Sequence, residues 1–209
     1  PKDYPLMNQY EMPKIISRAH FLLCLIWDMY GDMTITTEVE RPECTALNGI
    51  SLRHTVLLDG NEVAQIERSC RACDKSCIDG AVLREGCAYS LNDDRIKVEK
   101  PLLWSVDAPV LYTLRTELIQ DGRVIDSEET RFGFRKAEFT PDKGFFLNGR
   151  NVKINGVCLH HDLGCLGAAV NREALRRQLR KMQEMGVNSI RTSHNMPAKV
   201  FMELCDEMG

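Results

Sequence analysis

The order of apolar and polar positions predicts strands over the first half of the chain. Across residues 33–137, short runs rich in β-branched or alternating apolar residues recur, and side chains of a strand alternate between its two faces. Leu52, His54, Val56 and Leu58 fall on one face of such a strand. Short strands separated by turns, without a helical period, are typical of a β-sandwich.

Two Asp-Gly pairs predict hairpin turns within this region. Asp59-Gly60 separates two strand-like runs, and Asp121-Gly122 separates residues 112–120 from residues 123–126. Glycine adopts a positive φ without strain, so such pairs suit two-residue hairpin loops. We therefore expect an immunoglobulin-like arrangement of hairpins at residues 33–137, and residues 1–32 are left unassigned.

The pattern changes after the predicted sandwich. Residues 145–150 predict a small hairpin, and residues 152–159 predict a mostly apolar strand. A helix should follow, because Asn171 can cap it, Glu173 suits the positive end of its dipole and Gly186 can end it.

A second strand and helix complete this pattern. Residues 187–191 predict the strand, and Pro197 suits the first turn of the helix. The buried face of that helix is expected to consist of Val200, Phe201, Leu204, Cys205 and Met208. Strands that alternate with helices are parallel, and a β/α barrel needs eight of them. Residues 138–209 are therefore predicted to form the N-terminal part of a (β/α)8 barrel.

Composition and charge narrow the classes of partner. The chain has 209 residues, of which 44% are apolar and 27% are charged, as in globular proteins. A formal net charge of -3 argues against a nucleic acid partner. The longest apolar run, residues 21–27, is shorter than the ~20 residues that a membrane span needs.

Two polar clusters follow the two strands of the predicted barrel region. They occupy residues 156–162 and 191–197, and the C-terminal ends of parallel strands are where such folds bind ligands. The candidate ligand-binding residues are His160, Asp162, Arg191, His194 and Asn195. Imidazole, guanidinium and amide groups can hydrogen-bond a polyhydroxylated ligand. The alternative for Arg191 is a buried structural ion pair with Asp162 or Glu203.

These clusters resemble the signatures of glycoside hydrolase family 2, of the β-galactosidase type. GVCLHHD at 156–162 is similar to the family motif at the first barrel strand, and VNSIRTSHNMP at 187–197 to the second motif. The match continues through FMELCDEMG at 201–209. LWSVDAPVLY at 103–112 and FGFR at 132–135 resemble motifs of the family's central sandwich.

The resemblance implies a retaining exo-glycosidase that cleaves terminal β-glycosidic bonds, with β-galactosides favoured. In such enzymes one Glu is the acid/base and a second is the nucleophile. Both are expected further along the barrel than Gly209, so the chain alone is expected to be inactive. By motif position, His160 and His194 would contact the sugar, with Asn195 beside them. Arg191 would support the carboxylates, and Asp162 would brace the first loop.

Nine cysteines leave a metal site as an alternative. Cys70, Cys73, Cys77 and Cys87 have spacings that can hold zinc or an iron–sulfur cluster. Free cysteines also occupy small apolar positions of strands, and we favour that interpretation. Free thiols slightly favour a cytoplasmic location, and no cofactor motif is evident.

Two further expectations concern partners. A non-catalytic carbohydrate-binding sandwich is an alternative to a glycosidase fragment. An incomplete barrel exposes strand edges and apolar faces, so the isolated chain is expected to self-associate through residues 138–209.

Overall fold

A computed structural model describes residues 14–15, 20–27, 29–41, 49–70 and 88–209. The chain divides into two compact units. The first contains residues 1–100 and 112–131, and the second contains residues 101–111 and 132–209. The segment 101–111 thus connects two strands of the first unit but belongs to the second. Among the described residues, neither helix is long and apolar enough to cross a membrane.

The described residues of the first unit form a sandwich of two four-stranded sheets, and a sandwich is what the sequence predicts. One sheet has the order β1-β2-β3-β6, made of Lys14–Ile15, His20–Trp27, Asp32–Arg41 and Ala88–Lys97. The other has the order β5-β4-β7-β8, in which β4 is Ile50–Leu58, β5 is Asn61–Ser69, β7 is Tyr112–Gln120 and β8 is Arg123–Phe132. Strands β1 and β2 lie within residues 1–32, for which the sequence pattern predicted no structure.

Both predicted Asp-Gly turns are present. Asp59 and Gly60 have φ values of 50° and 80°, and Asp121 and Gly122 have 51° and 76°. Two successive positive φ values define the hairpin turn whose twist matches that of the flanking strands. The local sequence alone was therefore sufficient to locate these two hairpins.

The core of the sandwich lies between the two sheets. Leu52, His54 and Val56 are buried, as their alternation predicts, whereas Leu58 at the end of β4 is half-buried. Val39 of β3 packs with residues of β4 and β7, so the apolar cluster joins the two sheets. Burial of this apolar area is the main favourable contribution to folding of the unit.

The second unit begins with a small antiparallel sheet and continues as β/α units. Strands β9 (Ala137–Thr140), β10 (Gly144–Leu147) and β11 (Arg150–Asn151) form the antiparallel sheet. Strands β12 (Gly156–Leu159) and β13 (Ser189–Thr192) form a parallel pair. The helices are α1 (Arg172–Glu184) and α2 (Lys199–Met208). This is the predicted order of strands and helices.

The helix ends agree with the sequence at α1 and differ at α2. The side chain of Asn171 accepts a hydrogen bond from the Ala174 N–H at 2.9 Å, and Gly186 has a φ of 81°. The prediction that Pro197 lies in the first turn of α2 is wrong. Ala198 is the N-cap, in extended conformation, so the proline precedes the helix. All five residues predicted for the buried face of α2 do pack in one cluster with α1.

Strand β12 is shorter than predicted because the side chain of Asn188 takes the place of strand-to-strand hydrogen bonds before Gly156. The amide of Asn188 accepts from the Asn155 N–H at 2.8 Å and donates to the Lys153 carbonyl at 2.9 Å. These bonds satisfy the backbone before Gly156 without a strand partner. The parallel ladder therefore starts at Gly156 rather than at residue 152.

Candidate functional site

The two parallel strands end at the same edge of their sheet. Cys158 pairs with Arg191, and the Ser193 N–H extends the ladder by donating to the Leu159 carbonyl at 2.9 Å. Leu159 and Ile190 pack against the two helices. Because neighbouring side chains of a strand point to opposite faces, Cys158 and Arg191 lie on the face away from the helices.

His160 and His194 come together just beyond this edge. Their ring centroids are 6.5 Å apart, and the ring planes are nearly perpendicular at 89°. Both side chains are exposed. His194 has a φ of 26°, an uncommon conformation for a residue with a side chain, which occurs at the bend after β13. The expected proximity of the two imidazoles is therefore present, while their contact with a sugar stays a prediction.

Arg191 determines which nitrogen of His194 carries the proton. Its Nη2 lies 2.9 Å from His194 Nδ1, and its Nη1 lies 3.9 Å from the sulfur of Cys158. A guanidinium can only donate, so Nδ1 accepts and the neutral imidazole holds its proton on Nε2. This arrangement leaves Nε2–H of His194 as a donor for an oxygen of a ligand.

The alternative role of Arg191, a buried ion pair with Asp162 or Glu203, is wrong, because the described residues make other contacts. Arg191 is exposed rather than buried. Glu203 pairs instead with Arg172 at 3.1 Å and with Lys199 at 3.6 Å, and so connects the two helices. The carboxylate of Asp162 is engaged in its own loop.

Asp162 closes the loop that follows β12. Its Oδ1 accepts from the Gly164 N–H, and its own N–H donates to the His160 carbonyl, each at 2.8 Å. The Leu163 N–H donates to the Gly167 carbonyl, also at 2.8 Å, and Gly167 has a φ of 57°. These bonds hold the chain directly after His160, which suits the bracing role predicted for Asp162.

Asn195 and Cys158 also lie at this rim. Asn195 is exposed in the bend after His194. Cys158 is not among the residues predicted from the sequence, although it lies opposite Arg191 and contacts it. The signal that could have identified it is the parallel register of the two strands, which a single sequence does not display.

A hollow adjoins the loop after β12. It is bordered by this loop, by Thr192 and by residues of both helices, and its lining is mostly apolar. His160 and Asp162 contribute to its lining, whereas Arg191, His194 and Asn195 do not. Of the two imidazoles, the one of His160 therefore borders the hollow.

One of the four candidate metal ligands lies in the described part of the chain. Cys70 is half-buried, and burial, together with the charge of Asp94, raises the pKa of its thiol to about 11. The thiol therefore stays protonated at neutral pH when no metal is bound. Cys73, Cys77 and Cys87 lie outside the described residues, so the metal hypothesis stays a prediction.

Comparisons with known proteins agree with this architecture. The family model for glycosyl hydrolases family 2 matches residues 50–135, and the model for the TIM barrel domain of the same family matches residues 140–209. A crystal structure of a family 2 member from Bacteroides cellulosilyticus covers 90% of the chain with a TM-score of 0.74 and 27% identity. The chain covers 23% of that protein.

Two curated relatives carry names of different activities. Beta-galactosidase BoGH2A of Bacteroides ovatus is 51% identical over 115 residues, which are 55% of this chain and 14% of the relative. A putative beta-glucuronidase of Formosa agariphila is 42% identical over 115 residues, which are 55% of this chain and 11% of the relative. The chain thus matches a small part of each relative. Because two models of one family match in order over most of its length, the chain belongs to glycoside hydrolase family 2, with a sandwich domain followed by the start of the TIM barrel domain.

Proposed function

We propose that residues 1–209 are part of a retaining exo-glycosidase that hydrolyses terminal β-glycosidic bonds, with β-galactosides as preferred substrates. The observation that carries the proposal is the pair of imidazoles, 6.5 Å apart, at the ends of neighbouring parallel strands. This edge is where β/α barrels bind their substrates. The Bacteroides ovatus relative, named as a beta-galactosidase, supports the sugar preference.

The proposed task of this rim is binding rather than bond cleavage. With Nδ1 engaged by Arg191, His194 offers Nε2–H to a sugar hydroxyl, and His160 offers a second imidazole beside it. The acid/base and the nucleophile of a retaining glycosidase are carboxyl groups about 5–5.5 Å apart. We propose that both are Glu residues outside residues 1–209, and that these residues alone do not catalyse hydrolysis.

The experiment compares aryl β-galactoside, β-glucuronide and β-glucoside as substrates of the natural polypeptide that contains residues 1–209. We expect the galactoside to have the highest kcat/KM. His194→Ala should lower that value by about tenfold or more, because loss of about 1.4 kcal/mol of transition-state binding is a factor of ten. His161→Ala, at a neighbouring exposed position, is the control.

Three outcomes would overturn parts of this proposal. Absence of hydrolysis of any β-glycoside removes the glycosidase assignment, and a higher kcat/KM for the glucuronide removes the preference for galactose. Turnover by purified residues 1–209 would show that the carboxyl groups lie within them.

A further inference from the structure

Trp104 is bound to the C-terminal end of α2 although the two are far apart in sequence. It lies in the segment 101–111, and 8% of its surface is exposed. Its indole N–H donates to the Asp206 carbonyl at 2.8 Å. The last carbonyls of a helix have no partner within the helix, so the indole satisfies one of them.

Several groups fix the position of this indole. The backbone N–H of Trp104 donates to the Phe134 carbonyl at 2.8 Å, and its carbonyl accepts from Asn148 Nδ2 at 3.0 Å. The guanidinium of Arg135 lies 4.8 Å from the ring centroid, a cation–π contact. A Cβ on Gly133 would lie 2.8 Å from the Cβ of Trp104, so only glycine permits this approach.

The segment 101–111 also contacts the C-terminal end of α2 at a second point. Gly209, the C-cap residue, has a φ of 91°, and a Cβ there would overlap the carbonyl oxygen of Val106. The chain of Gly209 therefore passes directly against Val106. Two contacts, one through Trp104 and one through Val106, hold the end of α2 against the segment 101–111.

The apolar face of α2 packs against the two strands that precede the imidazole pair. Phe201 and Leu204 are buried in a cluster that includes Leu159 and Ile190. Leu159 directly precedes His160, and Ile190 directly precedes Arg191. A ten-residue helix is a rod of about 15 Å, so a displacement at its C-terminal end is carried to these strands.

We propose that Trp104 is a positioning residue for His160 and His194, and that it acts through α2. The inference rests on the proposed function, since it assigns the binding geometry of that site to a residue outside it. A misplacement of about 1 Å at a reacting centre can cost about a hundredfold in rate, so a modest shift of α2 has a measurable effect.

The test uses Trp104→Phe, which removes the indole N–H and keeps an aromatic ring. We expect the inhibition constant of galactose for the natural polypeptide to rise five- to tenfold. Leu147→Ala is the matched control, because Leu147 is buried in β10 of the same unit and is not part of the α2 cluster. It should lower Tm at least as much and leave the inhibition constant within twofold.

A second measurement is independent of hydrolysis. Hydrogen exchange of the Ser193 amide, which bonds to the Leu159 carbonyl, should accelerate in Trp104→Phe and stay unchanged in Leu147→Ala. Equal effects of the two substitutions, or none in Trp104→Phe, overturn the positioning role. If the natural polypeptide neither hydrolyses nor binds galactosides, the proposed function fails, and the exchange of Ser193 still decides the role of Trp104.

A milder substitution covers the case in which Trp104→Phe does not fold. Arg135→Met removes the cation over the ring and leaves the indole N–H in place. A rise in the inhibition constant above that of Leu147→Ala supports the proposal, and an unchanged constant overturns it.

Discussion

His54 Nε2 lies 3.3 Å from Asp94 Oδ2, so a titratable pair connects the two sheets inside the sandwich. His54 is fully buried on β4, and its Nδ1 lies 3.0 Å from the hydroxyl of Thr116. Asp94 is buried on β6, where Arg68 Nε lies 3.5 Å from Oδ1. Neither His54 Nε2 nor Asp94 Oδ2 has a hydrogen bond of good geometry among the described residues. A buried histidine whose pKa differs between the folded and unfolded chain makes stability depend on pH.

Acid should destabilise the sandwich through His54. Burial lowers the pKa of His54 from its ordinary value of 6.5, and this effect exceeds the opposing effect of Asp94. Below pH 6.5 the unfolded chain therefore binds a proton that the folded chain does not. The contribution of His54 to the free energy of unfolding is fully present above pH 6.5. It is lost as the pH falls from 6.5 towards the lower pKa that His54 has in the folded chain. Each tenfold difference in proton affinity between the folded and unfolded chain corresponds to about 1.4 kcal/mol.

Urea unfolding between pH 8 and pH 5 measures this dependence. Among the described residues, Asp94 is the charged group beside His54. Asp94 in turn interacts with Arg68 and with the thiol of Cys70. In His54→Gln the free energy of unfolding should change less with pH than in the wild type. His161→Gln, at an exposed position, should retain the wild-type dependence. A wild-type slope in His54→Gln would contradict the assignment to this residue.

Arg191 should determine the tautomer of His194. Its guanidinium lies 2.9 Å from Nδ1, so the neutral ring is expected to carry its proton on Nε2. Long-range nitrogen–proton NMR spectra of the imidazoles distinguish the two tautomers. We expect the Nε2–H form to predominate in the wild type and its share to fall in Arg191→Met. A predominant Nδ1–H form in the wild type would show that this contact is not formed in solution.

Arg191→Lys gives the matched control for charge. Lysine keeps the positive charge but lacks the planar fork of donors, and so should restore the tautomer only in part. Because Arg191 is exposed, Tm should change by only a few degrees in either variant. A large loss of Tm would indicate a structural role instead.

Features set by neighbouring residues were predictable from the sequence, whereas those set by distant pairing were not. The cap at Asn171 and the turn at Asp121-Gly122 depend on a few adjacent residues, and both are present. The bond from Trp104 to Asp206 spans 102 positions, and no local pattern specifies it. The early end of β12 likewise depends on Asn188, which lies 33 positions from its partner Asn155.

The candidate site, too, was predictable from the sequence only in part. The rule that ligands bind at the C-terminal ends of parallel strands was sufficient to predict that His160 and His194 lie close together. Of the two roles considered for Arg191, the alternative of a buried ion pair is wrong, because Arg191 is exposed and contacts His194. Side-chain partners on a rim depend on the loop conformation, here the φ of 26° at His194.

Gly133→Ala should destabilise the chain. The added Cβ would lie 2.8 Å from the Cβ of Trp104 and 3.1 Å from the carbonyl oxygen of Val110, so one of them must move. Overpacking of this kind costs about 1–3 kcal/mol. Gly156→Ala is the control, because its Cβ would meet the nearest atom at 3.6 Å, an ordinary contact. Equal free energies of unfolding for the two variants in urea would contradict the close approach of Trp104.

Purified residues 1–209 should self-associate through their second unit. Among the described strands, β12 pairs only with β13, so each has one edge without a partner. Their face away from the helices carries the exposed Cys158 and Arg191, and unpaired edges invite pairing between copies. We expect the mass from light scattering to rise with concentration under reducing conditions, which exclude disulfides. Cys158→Lys should weaken this rise, because a lysine on an open strand opposes pairing between copies.

The comparison variant for association is Phe139→Ser. Phe139 is 76% exposed and lies in β9, which belongs to the separate antiparallel sheet. If the edges of β12 and β13 mediate association, Phe139→Ser should associate like the wild type while Cys158→Lys does not. The opposite result would assign association to the apolar surface of β9. A wild-type chain that stays a monodisperse monomer at high concentration would mean that the open edges do not pair, and the association predicted from an incomplete barrel would then be wrong.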